Sequence, residues 1–423
     1  MPKGKVTEVR LWGVLAGYAY WGREDGCARF QYDKSFLDKG YDIAPLTMPL
    51  SDRTFAFDSL NKETYQGLPG VLSDSLPDSY GHSLIDVWLA GNKIPKNEFT
   101  PLDRLCYVGK RGMGALEYQP AVNKTDVNEA IDVDLLSSLA TEILSRRENL
   151  HVDLSDTGLR ELLSVGTSAG GARPKATVGL NDSTGEIRSG QLDLPKEYTY
   201  WIIKFDTETE KKRGYCRIEY AYHEMAEACG IEMTECRLLD TGSKAHFMTR
   251  RFDRTDEGKM HMQTLCALAH YDYKVPGKYS YEEMLGVMRR LKMTYEDVEQ
   301  IFRRMVFNVI MRNQDDHTKN FSFLMGKNGR WRLSPAYDVT YAFDPNNYWT
   351  NQHQMSVNGK VRDINRNDLM EFARNAGTRD ADDVIETTLS VAAEWKEYAG
   401  MSAVPKGTAD FIGSKLLSDR NLS

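Results

Sequence analysis

Between Asn313 and Thr340 the chain reads NQDDHTKNFSFLMGKNGRWRLSPAYDVT, with Asp315, Asp316, His317, Lys319 and Asn320 close together and another acid, Asp338, further on. Phosphoryl transfer needs such a set. One carboxylate handles the proton of the acceptor hydroxyl, while an Asn and a second carboxylate hold Mg²⁺ on the nucleotide phosphates. Protein kinases place the base and the metal Asn five residues apart, and the metal Asp beyond a hairpin. Asp315 and Asn320 have that spacing, whereas five residues on from Asp316 stands Phe321. Asp315 is therefore the expected catalytic carboxylate, with Asn320 and Asp338 as the expected metal ligands. The competing reading is a solvated loop with hairpin-stabilising polar groups. There is no Asp-Phe-Gly, and Lys319 comes four residues after Asp315 rather than two, so an ordinary eukaryotic-type kinase is excluded. A transition-metal site around His317 would want more His or Cys nearby, and Asn plus Asp oxygens suit Mg²⁺ better. His317 is expected to orient the loop or to lie near the nucleotide.

Several elements must position these groups. Phe321 and Phe323 alternate with polar residues, Gly326-Lys327-Asn328-Gly329 supplies a turn, and Trp331 and Leu333 alternate again, which predicts a β-hairpin. Upstream, Val298, Ile301, Phe302, Met305, Val306, Val309 and Ile310 trace one face of a helix that runs straight into Asp315. Ser280 with Glu283, and Thr294 with Asp297, read as capping boxes. Tyr198–Asp206 reads as a strand with one lysine, Lys204, in an apolar setting, where its charge is costly unless it meets an anion. In kinases a strand Lys binds the α/β-phosphates and pairs with a helix Glu. By spacing, Glu219, Glu224 and Glu227 are all available. The stretch Ser164–Thr177 is rich in small residues, which let backbone N–H groups approach phosphate oxygens. It lacks the Gly-Lys-Ser/Thr ending of a Walker loop.

The order of these motifs, Asp-x-His-x-Lys-Asn-Phe-Ser (Asp315 to Ser322) followed by Pro-x-Tyr-Asp (Pro335 to Asp338), resembles the HipA family of serine/threonine-kinase toxins from bacterial toxin–antitoxin pairs. Upstream segments are similar to further family signatures: Leu76-Pro77-Asp78-Ser79, Val108–Leu116, Arg251-Phe252-Asp253-Arg254 and Met355–Lys360. The run Ser168–Lys175 resembles the family's phosphate loop. That resemblance implies nucleotide contacts from Gly170, Gly171, Ala172, Arg173 and Lys175, and self-phosphorylation at Ser168, with Thr167 as a rival acceptor. The family often has Gln where Arg173 stands, and its usual His-x-Glu-Asp run is replaced by His261-Met262-Gln263-Thr264. The pattern of Glu followed by an aromatic selects Glu219 as the acid for Lys204.

With 423 residues the chain is long enough for two or three domains, and 41% hydrophobic with 27% charged residues suits a globular protein. The net charge of −7 makes it a poor non-specific nucleic-acid binder, so DNA is expected to be reached only through a partner. The N-terminal MPKGKVTEVRLWG does not read as a signal peptide, and no stretch has the apolar length of a membrane span. The six cysteines are widely separated and form no Cys-x-x-Cys. The expected location is therefore the cytoplasm.

The expected architecture is α/β: a bilobal protein-kinase-like fold with a β-rich N-terminal subdomain and a mainly helical C-terminal lobe. Its expected segments are residues 1–120, residues 121–254 with the glycine-rich loop and Lys204, and residues 255–423 with the catalytic loop and Asp338. Residues 119–135 are the expected boundary. The family resemblance implies an ATP- and Mg²⁺-dependent kinase acting on a protein Ser or Thr, restrained by a helix-turn-helix, HipB-like antitoxin. The substrate in some members is an aminoacyl-tRNA synthetase. A small-molecule phosphotransferase and a catalytically weak co-repressor acting through the antitoxin are the alternatives.

Overall fold

The computed structural model describes residues 6–22, 24–122, 130–145, 158, 162–163, 165–166, 173–191, 193–207, 211–242 and 244–422. The chain forms two compact units. One comprises Met1–Thr207, Leu239–Gln263 and Gly326–Gly329; the other comprises Glu208–Leu238, Thr264–Met325 and Arg330–Ser423.

The first unit is built on two sheets. In one, Thr54–Ala56, Cys27–Tyr32, Val14–Gly22, Val6–Leu11 and Leu116–Gln119 lie side by side in that order. The strands Val6–Leu11 and Val14–Gly22 form a tight antiparallel pair, from Val6 opposite Tyr20 to Leu11 opposite Val14. The alternation that predicts strands here also buries one face, with Val9, Leu11, Phe30 and Tyr32 inside. The last strand arrives from far along the chain, with Tyr118 opposite Val9.

The second sheet sets Ile187–Ser189, Lys175–Asn181, Tyr198–Lys204 and Ala245–Arg250 next to one another. Trp201, Ile203, Val178 and Ala176 face a core that includes Leu84 of the helix Ser79–Gly91 and Leu136 and Ala140 of the helix Val133–Ser145. The helical period of Leu135–Ile143 falls within that helix. Residues 159–161 of Gly158–Leu163, a further segment of helical period, and part of the expected boundary at 119–135 lie outside the described residues, though Leu162 and Leu163 are described and buried in the same core.

The second unit is mainly helical. The helix Tyr295–Ile310 starts at a complete Thr294/Asp297 capping box, and Ser280 and Glu283 form another before Tyr281–Arg290. Ile301, Phe302, Met305, Val306, Val309 and Ile310 are buried along the expected face. The helix Tyr215–Ala228 begins behind the left-handed Gly214. The expected hairpin is present: Ser322–Met325 pairs antiparallel with Trp331–Leu333, Phe323 lying opposite Leu333. A β-rich N-terminal part and a helical C-terminal part agree with the expected α/β class. Among the described residues no helix is long and apolar enough to cross a membrane.

Candidate active site

The loop after Ile310 is held mainly through its buried members. Asp316, the acid rejected by spacing, is 1% exposed. Its Oδ2 accepts from the Tyr281 hydroxyl at 2.8 Å and from His353 Nδ1 at 2.9 Å, and its Oδ1 accepts from the Gln354 amide at 2.7 Å. Burial and the neighbouring carboxylate raise the Tyr281 phenol well above its ordinary value, so it stays a donor. Asn308 donates to the Tyr281 hydroxyl at 3.0 Å, and Asn313 donates to Asn308 Oδ1 at 2.9 Å. A buried carboxylate survives only where donors satisfy it, and here three donors come from two distant segments, Tyr281 and His353-Gln354.

Asp315, its neighbour, points the other way, with a side chain 46% exposed. Its carbonyl accepts from Asn320 Nδ2 at 2.8 Å. That bond ties the two ends of the five-residue spacing together and leaves Oδ1 as the amide atom of Asn320 able to meet a cation. His317 lies with Nε2 3.8 Å from Asp315 Oδ1 and its ring 5.3 Å from Tyr273. Thr318 Oγ1 donates to the Tyr271 carbonyl at 2.6 Å, fixing the far side of the loop.

Asp338 is brought back by the hairpin and by a strap of polar contacts. Arg304 donates to the Ser334 carbonyl at 2.6 Å, and the Ala336 amide to the Glu232 carbonyl at 2.8 Å. The Tyr337 hydroxyl reaches the Lys319 carbonyl at 2.7 Å and Ser322 Oγ at 2.5 Å. Asp338 itself has φ of +52°, left-handed backbone that Asp tolerates better than most residues. Asp338, Asn320, Asp316, Asn313 and Arg304 line a common cleft. Burial lowers the Arg304 guanidinium to about 10, still charged at neutral pH. Carboxylate and amide oxygens from Asp338 and Asn320 are the hard donors that suit Mg²⁺, so the residues fit that ion.

In the first unit, Lys204 sits at the end of its strand with Lys175 directly across the antiparallel pair. Both are buried, at 7% and 4% exposure, and Lys204 Nζ lies 5.8 Å from the Phe247 ring centre. Like charges directly opposite each other repel, so two buried lysines in register concentrate positive charge suited to an anion. Arg173 lies half-buried two residues before Lys175. Thr167, Ser168, Gly170, Gly171 and Ala172 lie outside the described residues. On the Tyr215–Ala228 helix of the second unit, Glu219 is buried and Glu224 half-buried.

The sequence reading missed the partners of two clusters. Asp253 is fully buried, paired with Arg251 at 2.7 Å and Arg254 at 2.5 Å, and accepts from the Gly114 amide at 2.7 Å. The same arginines bond the Gly112 carbonyl. Burial pushes the Asp253 carboxyl up, but the two guanidiniums win and hold it far below the usual range. Gly114 has φ of +76°, and a Cβ there would come within 3.1 Å of the Met262 amide nitrogen. Two motifs read separately, Val108–Leu116 and Arg251–Arg254, are thus one structural joint.

Two family models match the chain: the HipA N-terminal domain over residues 7–119, and the HipA-like C-terminal domain over residues 167–395. The chain belongs to the HipA family. Among curated relatives, "Putative kinase Y4dM" of Sinorhizobium fredii is 29% identical over 358 residues, covering 80% of this chain and 78% of that protein. "Putative kinase Y4mE" of the same organism is 24% identical over 340 residues, covering 73% and 71%. In three dimensions the chain is similar to Shewanella oneidensis HipA, solved with HipB and operator DNA. The match has a TM-score of 0.68 and 16% identity, covering 98% of this chain and 95% of that one. The fold is therefore that of HipA. Within this HipA-family fold, the cleft of Asn320 and Asp338 has hard oxygen donors for a metal, and the lysine pair has the charge for an anion.

Proposed function

We propose that this HipA-family protein is an ATP- and Mg²⁺-dependent kinase that phosphorylates a Ser or Thr of a protein. The observation that carries the reading is the catalytic-type loop: Asp315 exposed, its carbonyl tied to Asn320, and Asn320 sharing a cleft with Asp338. In this reading Asp315 orients the acceptor hydroxyl and takes its proton. Asn320 and Asp338 hold Mg²⁺, which when bound neutralises charge on the transferring phosphoryl group. Lys204, Arg173 and Lys175, with the backbone of Gly170, Gly171 and Ala172, bind nucleotide phosphates. His317 keeps the loop oriented beside the nucleotide, and Glu219 is assigned to Lys204 on the sequence pattern.

Purified protein with MgATP tests this. Transfer to a protein acceptor by the wild type, lost in Asp315→Asn, is the expected result. Phosphoproteomics after brief induction, with Asp315→Asn as control, identifies the acceptor, and an aminoacyl-tRNA synthetase is the first candidate. No transfer by the wild type to any protein would overturn the reading.

Ser168 is proposed as a self-phosphorylation site. A phosphate there adds about −1.5 to −2 charges and competes with ATP for the same cationic groups. Peptide mass spectrometry should find one phosphate on Ser168 of the wild type and none on Asp315→Asn. A fully active enzyme unmodified at Ser168 would refute it.

The likeness to a HipA solved with HipB and operator DNA supports a HipB-like antitoxin as the restraining partner, with DNA reached through it. Co-expression with a HipB-like helix-turn-helix protein tests this: a stable complex on purification is expected, and failure to associate would overturn it.

A further inference from the structure

We infer that His353 and Tyr281 are positioning residues which fix the Asp315 loop through Asp316. The inference rests on the kinase reading above. Asp315 lies directly beside a carboxylate that is itself immobilised. The donors to Asp316 are the first residue of the helix Tyr281–Arg290 and two residues, His353 and Gln354, from a segment 37 and 38 positions away in sequence. The Tyr281 hydroxyl is at the same time the acceptor of Asn308, which is bonded to Asn313, so the start of the loop is tied to the same hydroxyl. On the other side, Asn320 holds the Asp315 carbonyl and Thr318 is bonded to Tyr271. The only carboxylate between these ties that reaches solvent is that of Asp315, half exposed on a backbone fixed before and after it.

Neither His353 nor Tyr281 lines the cleft of Asn320 and Asp338, so their effect on transfer passes through the groups they bond: Asp316 for both, and Asn308 as well for Tyr281. Removing one donor leaves a buried carboxylate short of a partner, and it will turn toward another. Because Asp315 is its neighbour in the chain, the reacting carboxylate moves with it. Misplacement by about 1 Å costs on the order of 10²-fold in rate. Binding of MgATP, which depends on other groups, should change little.

Three variants of the full chain test this: Tyr281→Phe, His353→Ala, and His353→Asn, whose amide nitrogen can stand where Nδ1 stands. Each is measured for kcat, for KM of MgATP, and for hydrogen exchange in the peptide spanning 313–321. Tyr281→Phe and His353→Ala should lower kcat about 10- to 100-fold, leave KM within about twofold, and speed exchange in 313–321 but not in the strand 198–204. His353→Asn should restore most of both. Unchanged kcat and exchange in Tyr281→Phe and His353→Ala would overturn the inference, as would loss in His353→Asn equal to that in His353→Ala. A wild type that transfers no phosphate would instead sink the kinase reading, and the exchange measurement would still decide whether His353 holds the loop.

Discussion

Two buried carboxylates anchor the two units, and they are satisfied in opposite ways. In the first unit Asp253 faces two guanidiniums, and the joint it makes is charged throughout. In the second, Asp316 is held by a hydroxyl, an imidazole and a backbone amide, with no arginine or lysine bonded to it. The difference follows from what stands beside each. Asp253 stands between Arg251, Arg254 and the backbone of Gly114, where strong Coulombic pairing can serve the fold alone. Asp316 neighbours Asp315, and a guanidinium at that place would draw proton affinity out of both acids. A donor set without arginine or lysine fixes the loop through hydrogen bonds from a hydroxyl, an imidazole and a backbone amide.

The sharpest way to break the comparison is to remove the charged anchor. Asp253→Ala leaves Arg251 and Arg254 buried without their counter-ion, and should cost about 3–5 kcal/mol in denaturant unfolding. A loss below about 1 kcal/mol would mean that the joint is not structural. Next is the exposed acid. Asp315→Asn should lower kcat about 10²-fold or more if it acts as a general base, with a melting temperature close to wild type. Asp316→Asn should lower the melting temperature clearly, and should lower kcat less than Asp315→Asn does, by about 10- to 100-fold through the displaced loop. Equal kinetic losses at unaltered stability in the two variants would contradict the division of roles.

A pH measurement sharpens the view of the first unit. Burial pushes the His261 imidazole down to about 4, with its Nε2 3.0 Å from the Ile43 carbonyl oxygen. Its folded value lies below the unfolded one of 6.5, so the unfolded chain takes up the proton first. Its contribution to stability is therefore complete above pH 6.5 and is lost as pH falls toward 4. The melting temperature should decline through that window, and the decline should be shallower in His261→Gln. The smallest expected effect is at the cap of the helix leading to the loop: Thr294→Ala should cost about 1 kcal/mol, read by thermal unfolding.

What the sequence made legible here was local. Alternation with a Gly-Lys-Asn-Gly turn gives a hairpin, a Thr-x-x-Asp box starts a helix, and the five-residue spacing joins Asp315 and Asn320, which are bonded. Each signal lies within one element, where backbone geometry converts spacing directly into direction. His353, Tyr281 and Asn313 were not legible. They are isolated polar residues with no period, and only tertiary folding brings them to Asp316. The same holds for Gly112 and Gly114: both they and the Arg/Asp run were noticed, but their meeting spans 139 residues. A signal could have come from Asp316 itself, since an acid excluded from chemistry by spacing, beside one admitted to it, needs a buried set of donors somewhere in the chain.

The left-handed backbone at Asp338 has a practical consequence for anyone building an inactive control. Alanine at positive φ is strained by about 1 kcal/mol or more, so Asp338→Ala would confound loss of a metal ligand with a bent loop. Asparagine shares aspartate's tolerance for that conformation and keeps its shape while removing the charge. Asp338→Asn is the cleaner reagent. If it melts like wild type but loses Mg²⁺-dependent nucleotide affinity in calorimetry, the defect belongs to the carboxylate and not to the turn that carries it.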